Sequence, residues 1–154
     1  MDVLFVNPGS AKDVYQSLST DYSGIGTPYW ALLLSQSCRS QGYKVGILDI
    51  LAEQLSREEA VKRIQDSNPR LIAFCVYGEN VNSGTTQMSG AVRLANLLKD
   101  KNIDIPIAFV GSHVQALPYK VLNEEKNILD LKLALDNNLN INKYFICFVD
   151  DSPN

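Results

Sequence analysis

Four short apolar runs, at residues 3–6, 45–50, 71–76 and 105–110, punctuate the chain, and each ends in small or polar residues. β-branched and aromatic side chains fill them, so each reads as a buried strand closed by turn residues. The period changes between them. Thr27 as cap and Pro28 at the first helical position start a helix over Tyr29, Trp30, Ala31 and the three leucines that follow, and Gly42 stops it. Trp30, among apolar helical neighbours, is expected to pack under the sheet. Ser56-Arg57-Glu58-Glu59 has the form of a capping box, with Ala60, Val61 and Ile64 at helical spacing behind it. Residues 84–101 predict a third helix, on which Met88, Ala91, Val92, Ala95 and Leu98 recur at three and four residues and Ser83 is the expected cap. Pro118 opens a further helix to about residue 125. Strands alternating with helices imply an α/β fold: a doubly wound, flavodoxin-like or Rossmann-like parallel sheet with helices on both faces.

One domain is expected over residues 1–126. The remainder, 127–154, is rich in Asn and Leu and reads as a divergent or truncated C-terminal tail, in which 128–135 fits a strand or a helix and 144–149 a strand. Residues 10–27 form a loop long enough to suggest function. Composition narrows the partners. The 154 residues are 45% hydrophobic and 20% charged with a formal net charge of -3, and Lys and Arg are scattered, so no basic stripe offers itself to nucleic acid. The apolar runs are too short for a membrane span, and the chain opens directly on a strand pattern, which makes a cytoplasmic location the expectation. Cys38, Cys75 and Cys147 form no CxxC pair, which argues against a disulfide framework or a zinc site, and Cys75 inside a strand reads as packing.

Ligands of open α/β sheets sit at the carboxyl ends of the strands. Here those ends read Asn7-Pro8-Gly9-Ser10, Asp49, Val76-Tyr77-Gly78-Glu79-Asn80, and Gly111-Ser112-His113-Val114, where His113 is the only histidine of the chain. No G-x-G-x-x-G follows the first strand and no Walker loop occurs, so dinucleotide and phosphate-cradling enzymes lose ground. Asp49 is assigned a turn role for the same reason. A receiver domain would need paired acids after the first strand, where none stand. A hydrolase built on Ser112 and His113 ranks last, because no G-x-S-x-G elbow supports the serine and adjacent residues point to opposite sides of a strand.

Four segments carry a resemblance: Leu4-Phe5-Val6-Asn7-Pro8, Gly26-Thr27-Pro28-Tyr29-Trp30-Ala31-Leu32-Leu33, Gln41-Gly42-Tyr43-Lys44-Val45-Gly46-Ile47-Leu48-Asp49, and the stretch from Val110 to Pro118. In order and spacing they resemble the N-terminal cobalamin-binding domain of cobalamin-dependent radical S-adenosylmethionine enzymes. Gly9 replaces the second proline of that family's N-P-P element, Tyr43 its histidine, and Gly111-Ser112 its paired glycines. The resemblance implies a cobalamin-binding module, detached or cut from a methyltransferase-like radical enzyme. The C-x-x-x-C-x-x-C loop of such enzymes is missing here, so iron-sulfur cluster and S-adenosylmethionine would belong to a separate catalytic domain or subunit, and this chain alone is not expected to be an enzyme.

A corrin with its nucleotide arm is large, flat and fringed with amides, so its host needs an apolar floor, small residues at the strand tips and polar groups for the amides. Gly78, Gly111 and Ser112 are the expected small tips. Val76, Tyr77 and Val114 are the expected lining, Glu79 and Asn80 the partners for corrin amides, and Asn7, Pro8, Gly9 and Ser10 the start of a loop over the corrin's lower face. Methionine-synthase-like relatives place a histidine on cobalt from D-x-H-x-x-G after the first strand, and Asn7-Pro8-Gly9-Ser10-Ala11 offers none. Base-off binding without a histidine ligand follows, with His113 as a turn residue. The alternative is a flavodoxin-like module for a flavin, a nucleotide or a protein partner.

Overall fold

Alternation along the central strand sorts the core into two layers. In the computed structural model, which describes residues 1–9, 26–77, 81–112 and 114 (of 81–85 only the backbone), β1 spans Val3–Asn7. Its Leu4 and Val6 face one buried cluster and Phe5 faces the other. β2 (Val45–Asp49), β3 (Leu71–Cys75) and β4 (Ile107–Val110) all run parallel to it, in the order β2-β1-β3-β4. α1 (Tyr29–Ser40) covers the Phe5 face with Ala31 and Cys38. α2 (Arg57–Ser67) and α3 (Val81–Asp100) cover the opposite face, bringing Ala60, Val61 and Ile64 and then Ala91, Leu94 and Leu98 against Leu4, Ile72 and Phe74. This is the doubly wound, flavodoxin-like arrangement expected from the pattern. Among the described residues, no helix is long and apolar enough to cross a membrane.

Helix ends show where local chemistry decided the boundary. The Ser56 box forms as anticipated: Glu59 N–H donates to Ser56 Oγ at 3.2 Å, and Ser56 N–H donates to the Glu59 carboxylate at 2.8 Å. The Ser56 N–H, joined by the Ser56 hydroxyl, which donates to the same carboxylate at 2.7 Å, holds the Glu59 carboxyl below the ordinary range. Gly42, at φ +87°, ends α1 in a Schellman turn, its N–H on the Arg39 carbonyl and that of Tyr43 on Cys38. Two caps differ from expectation. Pro28, at ψ 65°, is itself the non-helical cap of α1, and Thr27 contributes its backbone carbonyl to Tyr29 N–H at 2.8 Å rather than its hydroxyl. α3 begins at Val81, so Ser83 lies inside the helix instead of capping it. β4 starts at Ile107 because Pro106, lacking an N–H, serves the ladder only through its carbonyl, which accepts from Ile72 at 2.9 Å. The long loop over residues 10–25, the helix after Pro118 and the 127–154 tail fall outside the described residues.

Candidate functional site

The two outer pairs of the sheet hold to their ends, and the central pair does not. β1 and β2 stay paired to Asn7 opposite Asp49, and β3 and β4 to Cys75 opposite Val110, whereas the β1–β3 ladder stops at Val6 opposite Phe74. Past that point the central strands follow different neighbours. Ile50 N–H donates to the Asn7 carbonyl at 3.2 Å, and a Cβ on Gly9 would lie 3.3 Å from Ile50 Cγ2, so the β1 end is tied to β2. Val76 N–H donates to the Val110 carbonyl at 2.6 Å, which ties the β3 end to β4. The tips of β1 and β3 therefore part beyond Val6 and Phe74, at the switch-point crevice where sheets of this class bind ligands.

Side chains at the crevice follow from the same alternation. Asn7 donates from Nδ2 to Asp49 Oδ1 at 3.1 Å, and the same oxygen accepts from Ala52 N–H at 3.1 Å, which clamps the β1 tip to the turn after β2. Asp49 is 9% exposed, and its Oδ2 has no hydrogen-bond partner. Pro8 is fully buried and Gly9 half-buried. Val76 is fully buried on the α2/α3 side, while Tyr77 turns to the α1 side. There its ring stacks on Trp30 with centroids 4.4 Å apart and planes 18° from parallel. Trp30, expected under the sheet, is instead 45% exposed at the rim, because the buried stripe of α1 runs through Ala31, Ser35 and Cys38. Gly111 is buried, Ser112 half-buried, and Val114 packs against the α2/α3-side core. Burial pushes the Cys75 thiol up to about 12, so it stays protonated at neutral pH and is a packing group. Ser10, Gly78, Glu79, Asn80 and His113 lie outside the described residues.

The Asn7–Asp49 clamp went unseen in the sequence, where Asp49 reads only as a turn residue. Only knowing that β1 and β2 are neighbours in register brings two residues 42 apart together. Replacing Asp49 by alanine leaves Asn7 Nδ2 and Ala52 N–H without their acceptor. A loss of about 1–3 kcal/mol in unfolding free energy is expected, measured by urea denaturation.

A parallel sheet in this order, open between its two central tips, is a ligand-binding module of the flavodoxin-like class. Residues 16–131 match the family model of the B12 binding domain, and the chain belongs to that family. No curated protein and no solved structure matches it. Cobalamin is thus the cofactor that this site's family supports. The residues fit it: Gly9 and Gly111 keep the tips narrow, Pro8 and Val76 supply apolar floor, and the unpaired Asp49 Oδ2 shows an acceptor at the rim that the fold itself does not use. β1 precedes the matched segment, and the structure supplies it as one of the two central strands that flank the crevice.

Proposed function

We propose that residues 1–126 form a cobalamin-carrying module that holds the cofactor base-off, with no histidine on cobalt, for a radical S-adenosylmethionine methyltransferase-like catalytic domain or subunit in the cytoplasm. The crevice at the β1 tip carries the reading: the chain there is Asn7-Pro8-Gly9, with no imidazole, and Asn7 is already engaged with Asp49. Bound cobalamin supplies methyl transfer from S-adenosylmethionine to a poorly activated carbon. This chain's own residues bind and orient. The Asn7–Asp49 clamp holds the β1 tip to β2, the buried Pro8 and Val76 supply an apolar floor, and the neutral Cys75 thiol stays out of the chemistry. The three cysteines are too far apart in sequence for a cluster loop, so the cluster and the substrate belong to the partner.

Hydroxocobalamin titrated into the purified chain tests this through the visible spectrum. Saturable binding with a base-off shift, unchanged in His113→Ala, is the expected result. A shift lost in His113→Ala would replace the ligand-free assignment with histidine ligation. No spectral change, together with uptake of a flavin, would return the module to the flavodoxin-like alternative.

A further inference from the structure

We propose that Trp30 and Tyr77 form an aromatic wall on which the flat base of the cofactor's nucleotide arm stacks. This inference rests on the cobalamin reading above and assigns Trp30 a binding role. Tyr77 stands two residues beyond the end of β3, on the α1 face of the sheet, and Trp30 stands on the first turn of α1. Their stacked rings, 4.4 Å apart, bring the start of α1 up to the tip of β3. The wall therefore stands on the α1 side of the sheet, beside the tip of β3. An indole serving only the core would sit in the buried stripe of α1, yet Trp30 lies beside that stripe and keeps 45% of its surface open. Held in place by Tyr77, it offers a preorganised apolar surface at little further entropic cost.

Size selects which part of the cofactor meets it. The open face of a single indole matches a flat base in size and is far smaller than a corrin. Stacking of a base on an aromatic side chain is sequence-tolerant and strong enough to measure.

The test compares hydroxocobalamin with aquacobinamide, which keeps the corrin and lacks the base, on the full chain. Trp30→Ala is expected to weaken hydroxocobalamin binding about 10-fold or more, to leave aquacobinamide within roughly 2-fold, and to be largely rescued by Trp30→Phe. Circular dichroism of each variant checks that the fold is kept. Equal losses for both ligands, or no loss for hydroxocobalamin, would overturn the assignment while leaving the cobalamin reading standing. Failure of the wild-type chain to bind hydroxocobalamin would sink that reading, and this one with it.

Discussion

Gly111→Ala is expected to melt roughly 10 °C below the wild-type chain, from a loss of about 3 kcal/mol or more. A Cβ at this position would lie 3.0 Å from Val76 Cα and overlap the Val76 carbonyl. Backbone cannot yield as a flexible side chain can, so the β4 tip would have to move off β3. That movement breaks the hydrogen bond from Val76 N–H to the Val110 carbonyl, the contact that carries the β3 tip away from β1. Cofactor affinity should fall with stability, because the crevice depends on that divergence. Gly42 supplies the control. Its φ of +87° also disfavours a side chain, but nothing lies within 4 Å of the Cβ it would gain, so Gly42→Ala should lose only about 1 kcal/mol. Thermal melts of the two variants separate steric overlap from backbone strain. A Gly111→Ala protein that melts with Gly42→Ala would show that the close approach of β4 to β3 is not what positions the rim.

Much of the architecture is written in local pattern. The run 71–76 contains β3, and the capping box at Ser56 starts α2 at the expected residue, because both depend on neighbours a few positions away. Alternation also explains why Val76 and Tyr77, adjacent in sequence, go to opposite faces. The caps that misled were Thr27, displaced by the non-helical Pro28, and Ser83, overtaken by a helix that starts at Val81. The site was legible only as four separate strand ends. Which ends meet depends on the order β2-β1-β3-β4, and no local signal encodes it. Asn7 therefore gave no hint of Asp49, and Trp30 none of Tyr77, although each pair shapes the crevice.

The last rung of the central ladder tests whether stability and binding share a floor. Phe74 pairs with Val6 in the final β1–β3 register position, is fully buried, and packs its ring 5.5 Å from that of Phe109 in a tilted contact. Truncation to alanine removes the ring and leaves a void in the α2/α3-side core at that rung, at an expected loss of about 3–5 kcal/mol. Phe74→Leu, which refills most of that volume, should lose no more than about 1.5 kcal/mol. Urea denaturation reads both values. A ligand that binds only the folded chain stabilises it by mass action, roughly 2.7 kcal/mol at a hundredfold excess over Kd. If hydroxocobalamin occupies the crevice, the same excess concentration should therefore protect the wild-type chain and Phe74→Leu strongly and Phe74→Ala less, because loss of the ring loosens the last rung beyond which the β1 and β3 tips part. Equal protection of all three would mean that the cofactor's seat is independent of the β1–β3 rung, and that it lies elsewhere on the rim than the gap between those two strands.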